Sequence, residues 1–288
     1  MSRNQLLVSF FGISILFFLF NYELIDSESR MLKDNFYYAL PFFTYILQSF
    51  SATGDFPLWN MYTNHGEPTF LFLNNNYLLH IPYIPFYFFA KFISDIDPIK
   101  VFWSAMVLAN YLQAICLACL VYLIAKSKKI FIYALIISLF SGVAIGQMHQ
   151  MQINASSLYL IITTILFILW FNSERKIYWY LASFILGCAL LNHYPHLVVY
   201  LLISITLPLY FFHKPLCKEI LIKISHLGLF HIALSATLFL LVSSPIFILY
   251  FSYVDHYSSP FRGESLLSSY EYLQITANSN SMNIHTIL

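Results

Sequence analysis

Charge is what this sequence has least of. Asp, Glu, Lys and Arg make up 9% of its 288 residues, where a soluble domain carries about 25%. Too few charged side chains remain to cover a surface facing water, and that excludes a soluble globular domain. The balance of signs is also slight. A net charge of +1 offers no bulk attraction for a polyanion, so nucleic acid is not an expected partner. Cysteine is sparse: Cys116, Cys119, Cys188 and Cys217 make no disulfide framework. Cys116-x-x-Cys119 has a redox or metal spacing, but it falls inside an apolar run, where free Cys packs as a small hydrophobe. No repeat and no low-complexity tract interrupts the chain. The first apolar run is followed by Asn21-Tyr22-Glu23-Leu24 and not by a small-residue cleavage site, so it reads as an uncleaved helix.

Apolar and aromatic residues fill the chain instead. Hydrophobic residues reach 59%, aromatic ones 19%, and the mean hydropathy is +0.71. A membrane-spanning helix needs roughly 17–25 mostly apolar residues. The runs that qualify are 5–22, 101–125, 130–148, 156–173, 177–192, 194–212 and 225–252. The expected fold class is all-α, a polytopic bundle of about seven spans forming a single membrane domain over 1–288. Residues 23–100 form a long first loop, and 253–288 a polar tail. Within that loop, 36–50 and 70–93 are apolar enough to form helices on the membrane surface or against the bundle.

The charges orient this bundle. Arg3, Lys126, Lys128, Lys129, Arg175, Lys176, Lys214, Lys218 and Lys223 fall on one side, 9 of the 14 basic residues. Basic residues resist translocation, so that side is expected inside, with the N-terminus. Of the 13 acids only Glu174 and Glu219 join them. The carboxylates gather on the outer face, and the expected location is the cytoplasmic membrane with the tail outside.

The chemistry is expected in the outer segments. Asp34 precedes an aromatic run ending in Pro41-Phe42. Then come Gly54-Asp55-Phe56-Pro57-Leu58-Trp59-Asn60, Gly66-Glu67-Pro68 and Ile81-Pro82-Tyr83. Later outer loops carry Gln147-Met148-His149-Gln150 and Asn192-His193-Tyr194-Pro195-His196. A carboxylate at the end of a membrane helix can serve as a base toward a substrate held in the bilayer. Asp34 is also well placed to cap a helix. Asp55 suits turn chemistry, and Trp59 an interfacial anchor. His193 and His196 are candidates for substrate contact. Metal binding by these two and His149 is the weaker reading, because no acid sits among them. Arg262 could clamp a phosphate through paired N–H donors or simply partner Glu264. Asn154-Ala155-Ser156 fits a glycosylation sequon too short to carry weight.

This ordered series resembles the polytopic membrane proteins of the YfhO type, within the broad class of GT-C glycosyltransferases. In that family an Asp precedes an aromatic-Pro-Phe stretch, followed by Gly-x-x-Pro-Leu-Trp-Asn, Gly-x-Pro and a Tyr- and Pro-rich stretch. A later small-x-His-Pro-Gln turn is similar to Asn192–His196 here, which has His196 where the family favours Gln. The resemblance implies a GT-C-like bundle and a transferase that takes a sugar from a polyprenyl-phosphate carrier. The acceptor would be an envelope lipid, polymer or protein. It implies Asp34 as the catalytic base and leaves open whether Glu23, Asp26 or Glu67 assists. Glu67, His149, His193, His196 and Arg262 stand beside it as substrate-binding candidates. It implies no cofactor and leaves a divalent metal open. The chain resembles the N-terminal part of the family, so a separate C-terminal half is a further expected partner. Two other readings stand beside this one. One is a transporter or flippase for a lipid or polysaccharide precursor, which needs polar groups at mid-helix depth. Apart from Asn110, Gln113 and His231, the helix interiors are nearly bare of them. The other is an inactive remnant.

Overall fold

The computed structural model describes residues 1–22, 40–54, 59–60, 67–68, 81–90, 92, 97–141, 151–191, 203–204, 206–207 and 210–253. The described chain is helical: α1 Arg3–Phe20, α2 Leu40–Thr53, α3 Ile84–Ala90, α4 Pro98–Ala125, α5 Lys128–Phe140, α6 Met151–Ser173, α7 Lys176–Leu191, α8 Lys214–Leu227 and α9 Leu229–Tyr253. A 3-10 turn at Ile81–Tyr83 leads into α3. The one extended pairing among the described residues is a short antiparallel ladder, β1 Trp59–Asn60 with β2 Glu67–Pro68. Residues 1–246 form one compact unit and 247–288 another. Of the second, only the last turns of α9 are described.

Helix ends follow local chemistry. Ser2 and Gln5 form a reciprocal capping box on α1, with Ser2 N–H donating to Gln5 Oε1 at 2.9 Å and Gln5 N–H donating to Ser2 Oγ at 3.2 Å. Asp97 caps α4 by accepting from the Ile99 N–H at 2.9 Å, and Pro98 fills the first helical position, where no N–H is needed. Lys126 ends α4 in the left-handed conformation, its N–H donating to the Tyr122 carbonyl at 2.8 Å. Ser127 then starts α5. The α6–α7 turn works the same way through Glu174, also left-handed.

α1 and α4 are each long and apolar enough to cross a membrane. α8 and α9 together pass the same test only as a pair bent by 97°. α6 and α7 contribute shorter apolar stretches, Ser157–Ser173 and Lys176–Leu190. Much of the apolar surface is uncovered, including Val8 at 73%, Leu19 at 65% and Leu241 at 67% exposure. Soluble monomers rarely expose contiguous apolar patches beyond a few hundred Å²; here lipid is the fitting solvent. The chain is a helical membrane protein.

Three clusters hold the bundle together. In the first, α2 and α3 pack on the first half of α4. Phe43 sits at its centre, with its ring 5.9 Å from Tyr83, 5.5 Å from Tyr87 and 5.3 Å from Phe102. The length of α4 explains this. Its 28 residues give about 42 Å at ~1.5 Å each, against a hydrocarbon core of about 30 Å. In the second, α1 packs on α4 and α5. Phe17 stacks on Tyr111 at 5.8 Å and meets Phe140 edge-on at 6.1 Å. Ser14 Oγ shares a 2.6 Å hydrogen bond with the Tyr111 hydroxyl. The third joins α6 to α7 through Tyr159, Leu160 and Ala189.

Two expected spans differ from what forms. The run 130–148 does not continue as one helix: α5 ends at Phe140, where Ser141 takes an extended conformation at φ −73° and ψ 153°. The run 225–252 breaks at Gly228, whose φ of +82° ends α8 and turns the chain into α9. Residues 225–227 therefore belong to an amphipathic helix and not to the apolar one that follows. Their Ser225 and His226 are exposed.

Candidate functional site

The helix ends sort into two ends of unlike character. α1 and α5 run in parallel: Phe17 and Phe20, late in α1, both touch Phe140 at the end of α5, at 6.1 and 6.3 Å. α4 and α5 form a hairpin, so the start of α4 shares that end. α2 and α3 pack there as well. Leu160 near the start of α6 packs with Ala189 near the end of α7. So the end of α1, the end of α5 and the start of α4 lie together, and the start of α6 lies beside the end of α7.

This grouping matters because of what leaves from those ends. Residues 23–39, which carry Asp34, follow α1. Residues 142–150, which carry His149, follow α5. Residues 192–200, which carry His193 and His196, follow α7. These four residues and Arg262 lie outside the described residues, as do Glu23, Asp26 and Asp55. Glu67 lies on β2 and is described in its backbone alone. The ladder pairs Asn60 with Glu67 and Trp59 with Pro68. It joins the Pro-Leu-Trp-Asn motif to the Gly-Glu-Pro motif, two sequence features separated by five residues.

Two buried polar residues keep an atom without a partner among the described residues: Asn21 at this end, and Asn110 midway along α4, which the sequence had marked inside a span. Asn21 closes α1 with no exposed surface, its Nδ2 donating to the Phe17 carbonyl at 2.8 Å while its Oδ1 has no hydrogen-bond partner among the described residues. Asn110, 2% exposed, likewise leaves Nδ2 without a partner among the described residues. An unsatisfied buried polar atom costs about 1–3 kcal/mol. Asn21 stood in the sequence only as a helix terminator. Tyr87 is fully buried on α3, and burial pushes its phenol pKa up. It therefore serves as neutral packing against Phe43 and not as a titrating acid.

The opposite end is basic. It holds the start of α1 with Arg3, the α4–α5 turn with Lys126, Lys128 and Lys129, and the α6–α7 turn with Arg175 and Lys176. Lys223 of α8 is tied to it by an ion pair to Glu174 at 3.2 Å and by donating to the Phe171 carbonyl at 2.8 Å. Lys176 Nζ donates to His231 Nε2 at 2.6 Å, and His231 Nδ1 meets the Tyr180 hydroxyl at 2.5 Å. Trp179 donates its indole N–H to Ser235 at 2.5 Å. The start of α9 thus lies against the start of α7. His231, which the sequence marked as a polar group inside a span, sits in this end cluster.

Comparison of the chain with family models, with curated proteins and with solved structures finds no match.

Proposed function

We propose that this chain is a membrane glycosyltransferase. It moves a sugar from a polyprenyl-phosphate carrier to an envelope acceptor at the outer face of the cytoplasmic membrane. The observation that carries the reading is the sorting of helix ends. The segments bearing Asp34, Glu67, His149, His193 and His196 border one end, and the basic turns border the other. By the tendency of basic loops to stay inside, the first end faces out. α5, α6, α7 and the run 194–212 would complete seven spans in a GT-C-like arrangement.

A transfer of this kind asks for a base at headgroup depth and an anion as leaving group. Asp34 follows a span and precedes the aromatic helix α2, so it is the assigned base for the acceptor hydroxyl. Arg262 is assigned to the leaving phosphate, and Glu67, His149, His193 and His196 to the sugar and acceptor. The transporter reading has Asn110 and Gln113, buried on α4, in its favour. It lacks the paired broken helices such a path uses: among the described residues only α8–α9 is broken.

The test is transfer from a polyprenyl-phosphate sugar in membranes containing the chain, with any C-terminal partner supplied. Asp34→Asn should lower the rate about 10²–10⁴-fold with little change in melting temperature, since Asn also caps a helix. Near-normal transfer by Asp34→Asn, with loss in Glu23→Gln or Glu67→Gln, would move the base elsewhere. Indifference of all three would sink the transferase.

A further inference from the structure

α8 is a helix of 14 residues whose sides differ in character. At ~100° per residue, Leu216, Cys217, Ile220, Leu221, Ile224 and Leu227 share one arc. Lys214, Lys218, Glu219, Lys223, Ser225 and His226 share most of the other. The apolar arc is only partly covered. Leu227 is buried at the corner, but Leu221 is 66% and Leu216 37% exposed. The helix stands at 97° to α9, and its C-terminal turn is pinned to the end of α6 by the Lys223 contacts to Glu174 and Phe171. Lys223 also lies over the Phe171 ring, 4.3 Å from its centre.

We infer that α8 is an in-plane interfacial helix whose occupant is the anionic leaflet of the bilayer at the basic end. If α9 runs through the membrane, a helix at right angles to it, anchored at a span's end, lies along the surface. There its apolar arc meets acyl chains and its lysines meet headgroup phosphates. Charge complementarity selects anionic lipid. Lys214 and Lys218 are exposed, Glu219 is the lone acid on the helix, and Arg175 and Lys176 adjoin the corner through the Glu174 and His231 contacts. Glu174 is occupied by Lys223. Two exposed lysines, Lys214 and Lys218, face the headgroups against one acid, Glu219, and the apolar arc supplies the depth that charge alone does not. This inference does not depend on the transfer reaction.

The test uses the full chain with its four cysteines replaced by alanine and one cysteine returned at Ile224 or at His226, which lie on opposite sides of α8. Each is spin-labelled in nanodiscs of phosphatidylcholine with or without phosphatidylglycerol. The label at 224 should be relaxed by oxygen and shielded from a water-soluble nickel chelate; the label at 226 should show the reverse. Equal nickel access at both would put α8 in water, and equal oxygen access would make it part of a span; either overturns the proposal. In a second measurement, the preference for spin-labelled phosphatidylglycerol over phosphatidylcholine should fall about fivefold for each lysine removed in Lys214→Gln and Lys218→Gln. An unchanged preference, with the depth pattern intact, would leave an interfacial helix without the anionic partner and so overturn that assignment.

Discussion

At the scale of single residues, packing inside this bundle is decided by small and aromatic side chains, because lipid offers no hydrophobic drive between helices. Gly187 on α7 shows it most sharply. A Cβ there would lie 3.0 Å from the Val242 Cβ and 3.1 Å from the Phe239 carbonyl oxygen on α9. Backbone cannot yield as a flexible side chain can. Gly187→Val should therefore cost about 1–3 kcal/mol through overpacking, read as a lower melting temperature in detergent, while Gly12→Val, in open space, should cost little. Tyr87 gives a second prediction. Its folded pKa is raised by burial above the ordinary value of 10.0, so its contribution to stability is full below that value and is lost as pH climbs past it. Tyr87→Phe keeps the ring on Phe43, 5.5 Å away. Its melting temperature should fall less than the parent's between about pH 9 and pH 11; parallel curves would mean that the phenol is not held neutral by the fold.

At the scale of elements, the sequence located the apolar runs but not their ends. It started them at 5, 101 and 130, where Ser2, Asp97-Pro98 and Ser127 begin the helices in the structure. The Gly228 corner was not legible, since an isolated glycine in an apolar run is compatible with a continuous helix. Its φ of +82° with ψ of 150° is a region that side chains avoid, and nothing lies within 4 Å of an added Cβ. Gly228→Ala should thus lose about 1–3 kcal/mol from backbone strain alone, seen as a drop in melting temperature. An unchanged melt would mean that the corner is held by its contacts and can straighten. The ladder of Trp59–Asn60 with Glu67–Pro68 was equally hidden. Two residues a side carry no alternation pattern for a sequence reading to find.

At the scale of the whole molecule, the prediction concerns sidedness. With the N-terminus inside, a single cysteine at Ser127, in the basic α4–α5 turn, should resist an impermeant label applied from outside, and one at Ser269 should react. The reverse pattern would invert the bundle and take the outward-facing site with it. Membrane character was determined by the sequence alone, because a chain with 9% charged residues has no means of covering itself against water. The sequence also marked Asp34, Glu67, His149, His193, His196 and Arg262 as chemistry without saying which of them meet. Tertiary structure decided what chain order cannot encode. α1 lies beside α5 with their ends level, α2 and α3 clasp the overhanging start of α4, and α8 turns away from α9 at a right angle. Each of these depends on contacts between residues far apart in the chain, such as Phe17 with Phe140, Phe43 with Phe102 and Lys223 with Glu174. Hydropathy reports how a segment partitions between water and lipid, and that quantity is the same whichever neighbour the segment packs against.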